Sequence, residues 1–479
     1  MRFLTLAHRW MGVVLCLFFA AWFLSGAVLI YHPFPSLSQT DRLSHSSDVD
    51  LQKIVIPPFE VFKSTENVKF DRLRLIDLED KPVYVLHSLS GGIKTVNASD
   101  GKLVSPLLKI SAGRIAEKFS GSSTLNVEGP LNYDQWIVPN RYDSYRPFFR
   151  VSMHDEMKTV LYVSAQTGEV LQKTEGKERA WNYIGAVVHW IYPTILRSNW
   201  PLWDQVVWWL SLAGLVTTLI GLLLGVMRSR GRKNEDRMGI CSPFKAWLRV
   251  HHVLGVFVGV IVLTWIFSGW LSMDHGRIFS KQNPDASQIK EYRALSLEQA
   301  VKPISLEALK VLRNFVEVEF VSVGGQNFIL ASNSKGLKLF KPVNLKSFSQ
   351  YKLTELEINR AVQKAWPGVG IKSTLRPTET DIYGHLREGS LPKNTLRVIL
   401  DDASQTWIHI DMDSGQIVSV MDRGRRVYRW LFNGLHSLDF PGLVNHRPLW
   451  DFLILILLTL GFFFSLTGVV VGWKRLSGK

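Results

Sequence analysis

Residues 8–32 read HRWMGVVLCLFFAAWFLSGAVLIYH, and residues 251–275 read HHVLGVFVGVIVLTWIFSGWLSMDH. Each contains a run of about 20 apolar residues, Trp10–Ile30 and Val253–Met273, the length a helix needs to cross a hydrocarbon core of about 30 Å. Two further runs, Val206–Met227 and Phe452–Trp473, meet the same criterion. The first run is expected to be retained rather than cleaved. It is longer than a signal-peptide core, and Tyr31-His32-Pro33-Phe34 offers no small-residue cleavage site.

The two quoted stretches are also related to each other. At an offset of 243, His8, Gly12, Trp22, Ser25, Gly26 and His32 match His251, Gly255, Trp265, Ser268, Gly269 and His275. At an offset of 247, Arg150, Val151, Asp155, Thr159 and Gly168 match Arg397, Val398, Asp402, Thr406 and Gly415. The same offset carries His189 to His436, Pro201-Leu202-Trp203-Asp204 to Pro448-Leu449-Trp450-Asp451, Gly221 and Gly225 to Gly468 and Gly472, and Arg228 to Arg475. A tandem duplication is expected. Both halves enter the membrane in the same sense, so they are related by a pseudo-two-fold axis along its normal. Across such an axis, one polar side chain per half makes a two-ligand site.

The net charge of +15 resembles a nucleic-acid footprint until it is located. Seven cations between Arg228 and Arg249 face only Glu235 and Asp236; Arg2 and Arg9 add two, and Lys474, Arg475 and Lys479 three, which puts ten of the fifteen charges on one side of the spans. By the positive-inside rule both termini and that loop are cytoplasmic, and no nucleic-acid partner is implied. The 46% apolar content excludes disorder. With Cys16 and Cys241 alone, a disulfide scaffold and a CxxCH haem attachment are excluded too.

The long segments left on the outer face carry short β-type runs, such as 159–163 and 406–410, each leading into a turn, with helical periodicity over 112–119 and 355–366. They read as α+β domains. The resulting division is 1–31 (first transmembrane helix), 32–200 (outer domain with an interfacial helix), 201–228 (second helix) and 229–249 (basic cytoplasmic loop). It continues with 250–273 (third helix), 274–447 (second outer domain with an interfacial helix) and 448–479 (fourth helix and tail).

Six of the 13 histidines fall into matched pairs beside spans: His8/His251, His189/His436 and His32/His275. An ionisable group there is costly unless paired, hydrated or metal-bound, and imidazole is a common axial ligand of haem iron. Interfacial histidines beside Arg9 and Arg249, or on amphipathic segments ending at Pro193 and Pro441, account for the same pattern without a ligand. His252, about 100° around the helix from His251, is the alternative register. His32 and His275 read as structural. The glycines at 12, 26, 255 and 269 suit either a flat macrocycle or close helix packing. Trp181, Trp190, Trp200, Trp203, Trp208 and Trp209 fit an interfacial belt.

The segments His8-Arg9-Trp10-Met11-Gly12, Trp265 to Met273, Leu435-His436-Ser437-Leu438, Leu466-Thr467-Gly468 and Trp473-Lys474-Arg475 resemble the PepSY-associated transmembrane family over essentially the whole chain. The resemblance implies a bacterial inner-membrane protein with two PepSY-like periplasmic domains. It also implies two b-type haems and electron delivery to a ferric siderophore or other ferric complex in iron uptake. The family's histidines correspond to His8, to His251 or His252, and to His189 and His436. One haem is expected between His8 and His251, the other between His189 and His436.

No electron donor site is visible: there is no Gly-rich nucleotide fingerprint, so quinol or a separate reductase would supply electrons. Arg141, Tyr142, Arg146, Arg150, Arg376 and Arg387 read as solvated surface, and no G-x-S-x-G elbow occurs. A permease for iron complexes is disfavoured because the spans look unbroken. A non-enzymatic PepSY protein that binds peptides or restrains proteases remains as an alternative.

Overall fold

A helix closes its backbone hydrogen bonds within one segment, which suits it to lipid. Among the described residues four helices take that form: Arg2–Tyr31, Trp200–Ser229, Ala246–Ser272 and Arg447–Leu476, of 30, 30, 27 and 30 residues, each long and apolar enough to cross a membrane. They overrun the apolar runs at their ends. At 1.5 Å per residue, 30 residues reach about 45 Å, a bilayer together with its headgroups. The computed structural model describes residues 1–478 except 66–67, 230–241, 280–283, 345, 379 and 387–388. Most of the basic loop, including Arg230, Arg232, Lys233, Arg237 and Cys241, thus lies outside the described residues, as does Arg387.

The third span has one irregular residue: helices Ala246–Phe257 and Gly259–Ser272 meet at Val258, which keeps helical dihedrals of −81° and −22°. Val258 lies between Gly255 and Gly259. A Cβ on Gly259 would come within 2.8 Å of Leu222, so backbone and second span approach closely there. Hydrogen bonds from Val258 N to Leu254 O (2.7 Å) and from Val262 N to Val258 O (3.0 Å) carry the helical course across it.

The chain divides into two compact units. One, the bundle, comprises Met1–Phe34, Glu178–Lys281 and Gly424–Lys479. Its core gathers Leu15, Phe19, Phe23, Val262, Trp265, Ile266, Ile454 and Leu458. Small residues admit the large ones: a Cβ on Gly214 would lie 2.9 Å from the Phe19 ring, and one on Gly461 2.5 Å from Phe23. Such small-against-aromatic seating replaces the hydrophobic drive that lipid removes. Before the second and fourth spans run two similar segments. In each, a helical turn (Gly176–Asn182, Arg423–Arg429) passes into a π-helical turn (Tyr183–Val187, Trp430–Gly434).

The other unit, Pro35–Lys177 with Gln282–Arg423, holds the strands. The first stretch contributes β1 (Phe70–Leu78), β2 (Lys81–Ser88), β3 (Ile93–Asn97), β4 (Thr124–Leu131), β5 (Phe148–Met153), β6 (Val160–Ser164) and β7 (Val170–Thr174). From the second come β8 (Glu317–Val323), β9 (Gln326–Asn333), β10 (Gly336–Asn344), β11 (Ser347–Gln350) and β12 (Ile371–Leu375). It continues with the short pair β13 (His385–Leu386) and β14 (Gly389–Ser390), then β15 (Thr395–Leu400), β16 (Trp407–Asp411) and β17 (Ile417–Met421). Two four-stranded sheets, β4-β5-β6-β7 and β12-β15-β16-β17, each belong to one stretch. Against the first packs helix Lys109–Ser120 through Ala112, Ala116 and Phe119. Helix Glu355–Ala365, started by a Thr354/Glu357 capping box, packs with the second through Ile358, Ala361 and Val362.

The remaining sheet is shared. Its seven strands run β11-β10-β9-β8-β1-β2-β3, and β8 pairs antiparallel with β1, Arg74 opposite Glu319 and Ile76 opposite Glu317. The two outer segments, read from sequence as separate domains, therefore share one hydrophobic core containing Leu73, Leu75, Val318 and Ile329. Pairing covers one edge of each three- or four-stranded group.

Candidate functional site

His8 projects from the first span and His251 from the third, and their ring centroids lie 6.4 Å apart with planes 34° from parallel. His189 and His436 follow the two π-helical turns, and their centroids are 6.1 Å apart at 63°. Both pairs lie within the bundle. Two of the three matched pairs thus come together.

The third pair is not. His32 stacks on Trp181 (4.8 Å, 1°). The His275 Nδ1 lies 3.1 Å from Asp204 Oδ2, with its ring beside Trp208. His252 is turned away from His8: its Nε2 meets the Gly225 carbonyl at 3.1 Å and its ring lies against Phe244. The structure therefore favours His251 over His252 as the partner of His8.

In all four facing rings, Nδ1 is the engaged nitrogen. His8 Nδ1 is 3.0 Å from the Thr217 carbonyl, and His251 Nδ1 is 2.8 Å from Thr467 Oγ1. His189 Nδ1 is 3.1 Å from both Ser25 Oγ and the Trp22 carbonyl. His436 Nδ1 is 3.0 Å from Ser268 Oγ. A carbonyl can only accept, so His8 and His189 carry their proton on Nδ1. Thr467, Ser25 and Ser268 donate to the carbonyls of Phe464, Trp22 and Trp265, which leaves their oxygens to accept from imidazole. Every ring then keeps the Nε2 lone pair. No Nε2 of these four makes a protein hydrogen bond among the described residues. An Nδ1–H held by an acceptor, with Nε2 open, is the arrangement of a metal-ligating histidine.

Glycines make room for the rings. A Cβ on Gly221 would fall 2.5 Å from His8 Cε1, and one on Gly26 3.2 Å from His189 Cε1; Gly468 and Gly269 stand likewise at 3.6 and 3.5 Å from His251 and His436. The turns after the second pair are held as well. Ile191 and Leu438 both adopt φ 50°, a left-handed conformation unfavourable for side chains bearing Cβ. The Trp203 indole donates to the carbonyls of Trp190 and Ile191 (3.0 and 2.9 Å), and Trp450 donates to that of Ser437 (3.0 Å). Trp203, expected in a belt, thus holds a turn instead.

A cavity of about 560 Å³ opens beside the first pair, lined by His8, His251, Thr217, Gly221, Gly468 and Cys16 among others. Among the described residues no group of three or more His, Cys, Asp or Glu suits a metal ion, so any metal here would be held by two imidazoles.

Ser25, Ser268, Thr217 and Thr467 were not singled out by sequence reasoning as partners of these rings. For the serines a signal existed: they repeat at the same offset as the histidine-bearing spans.

The sheet unit contains a different polar cluster. Arg74, 2% exposed, donates to both Glu169 oxygens (2.7 and 2.9 Å). Arg42 bridges Glu169 and Glu317 (3.3 and 2.7 Å), and Arg72 binds Glu319 in a fork (2.8 and 2.7 Å). Burial pushes the Glu169 carboxyl up, but Arg74 and Arg42 outweigh it and hold the group at about 2. His87, 3.1 Å from Arg74, is lowered to about 4 by burial and by Arg74 and Arg72. His409, buried beside Arg397, falls to about 3 for the same reasons. Three cations meet three carboxylates, so the cluster is internally balanced. Of the arginines read as surface, Arg150 pairs with Glu128, Arg146 with Asp143 and Arg376 with Glu355.

No curated protein matches the chain. A family model described as the PepSY-associated TM region matches residues 5–475, spanning all four helices and both strand-bearing stretches; the chain is a membrane protein that belongs to this family.

Proposed function

We propose that the chain is a haem b-containing reductase of the bacterial inner membrane that passes electrons across the bilayer to a periplasmic ferric complex, such as a ferric siderophore. One observation carries this reading: two pairs of imidazoles face each other at 6.4 and 6.1 Å between centroids, each with Nδ1 engaged and Nε2 open. A metal–imidazole bond of about 2 Å, with about 1.1 Å more from Nε2 to the ring centre, spaces two axial rings at about 6.2 Å. Both pairs are within a few tenths of an ångström of that spacing. The glycines at each ring and the cavity beside His8 and His251 supply room for a macrocycle.

Bound haem would supply a one-electron carrier that alternates between ferric and ferrous iron. The chain's own part is to hold and orient. His8 with His251 and His189 with His436 would hold the iron; Thr217, Thr467, Ser25, Trp22 and Ser268 keep each ring in the Nε2-open tautomer. The apolar core of the bundle, with Phe19, Phe23 and Trp265, lies in the same unit as both pairs. The recurrence of β1 through the first π-helical turn as β8 through the second, shifted by 247 residues, supports descent from one duplicated unit. The cations at Arg2, Arg9, Lys474 and Arg475 support cytoplasmic termini and a periplasmic sheet unit. The electron donor would be quinol or a separate reductase.

Pyridine-haemochrome quantitation of the purified full-length protein tests the reading. Two haems per chain are expected, and His189→Ala should remove about one of them. Folded but colourless protein would refute the proposal and leave a non-enzymatic membrane protein.

A further inference from the structure

The second and fourth spans repeat a pattern on either side of the cavity. Gly221 lies against His8 and Gly468 against His251. Seven residues after each comes an arginine, Arg228 and Arg475, and all four positions line the cavity. Seven helical residues rise about 10 Å and turn about 700°, close to two full turns, so each arginine stands on the same helix face as its glycine. Gly225 and Gly472 fall between them on that face and also line the cavity. Each span thus places glycine beside an imidazole and, about 10 Å further along the same face, a guanidinium.

The charge there is one-sided. Arg9, Arg228, Lys245, Lys474 and Arg475 line the cavity, whereas no Asp or Glu does so among the described residues. None of the five forms an ion pair among the described residues. Arg228 is half-buried and steadied, with Nη2 3.0 Å from Thr5 Oγ1 and the guanidinium 5.2 Å from the Phe244 ring centre. That hydrogen bond uses one of five N–H donors, leaving the rest for a planar anion.

We propose that Arg228 and Arg475 are carboxylate anchors, each receiving one propionate of the macrocycle that His8 and His251 would hold. The inference rests on the haem reading above and adds the direction in which the ring enters: carboxylates toward the arginine end of the spans. The competing occupant of these guanidiniums is lipid phosphate, as for any cation at a span end.

Full-length protein carrying His189→Ala, which leaves the His8/His251 site to be read alone, is prepared without haem and titrated with haem b and with its dimethyl ester. The ester has the same ring and iron but no carboxylates. Haem b is expected to bind more tightly than the ester by about 10-fold for each arginine engaged. R228Q and R475Q should each shrink that ratio and the double variant should bring it close to one, while R228K and R475K should retain part of it. Equal binding of haem b and ester by the protein with both arginines would overturn the anchor role, assign the guanidiniums to lipid and leave the haem reading standing. Failure of both compounds to bind would overturn the haem reading, and this inference with it.

Discussion

The facing histidines of the bundle and the arginine–glutamate cluster of the sheet unit bury ionisable side chains in opposite ways. In the sheet unit Arg42, Arg72 and Arg74 are charged, and each meets a carboxylate of Glu169, Glu317 or Glu319. In the bundle the facing histidines have no counter-ion among the described residues. A carbonyl or a hydroxyl takes the Nδ1 proton, and the rest of each ring contacts glycine or aromatic surface. A charge kept inside a protein needs an opposite charge, but a neutral base kept inside needs only an acceptor for its proton. The first arrangement is self-contained; the second leaves Nε2 of each ring without a protein partner among the described residues. The arginine–glutamate cluster therefore reads as architecture, and the histidine pairs as the site on which the proposed function rests.

The contrast predicts a graded set of losses. Removing Arg74 strands Glu169 and part of Glu317, so Arg74→Ala should destabilise the sheet unit by about 3–5 kcal/mol, measured by denaturant unfolding. A loss below about 1 kcal/mol would mean the cluster is more hydrated than its burial implies. Ser268→Ala takes the acceptor from His436 without touching the ring. A lost partner of a ligating histidine costs about 10- to 100-fold in affinity, to be read by haem titration, with Ser268→Thr as the rescue. His251→Leu in haem-free protein should change thermal stability by no more than about 1.5 kcal/mol, because a neutral ring with one hydrogen bond is exchanged for an apolar side chain of similar size.

A further effect is in pH. His87 and His409 have an ordinary value of 6.5 when unfolded, against about 4 and about 3 when folded. Between those limits the unfolded chain binds more protons, so the sheet unit should lose stability as pH falls from about 6.5 toward 4. Below about 4.5 the depressed Glu169 adds to the loss. Melting curves of His87→Gln and His409→Gln should each be flatter through the upper part of this range.

The sequence made the spans, the matched histidines and the helices near 112 and 355 legible, because apolar length and periodicity are local signals. It also placed the three histidine pairs correctly relative to the spans, but equivalence alone could not say which pairs meet. His32 and His275 obey the same repeat yet end on Trp181 and Asp204. Nor did Ser25 and Ser268 announce themselves, since a serine in a helix ordinarily bonds a carbonyl of its own preceding turn. Both do so, to Trp22 and Trp265, and serve His189 and His436 as well. Thr467 has no counterpart, since Ile220 stands at the matching place. The union of the outer segments was hidden because β1 and β8 are brought together from some 240 residues apart. The irregular residue at Val258 was hidden because a run of valine, glycine and isoleucine reads alike with or without it.

The antiparallel seam between β1 and β8 has a consequence for dissecting the molecule. Severing the chain after Ser229 would yield two pieces that each carry part of one sheet, with a bare strand bordered by Arg72 and Arg74 on one and by Glu317 and Glu319 on the other. Those edges carry opposite charge, so the fragments should seek each other rather than pair with themselves, and co-expressed halves would reassemble where either half produced singly would clump.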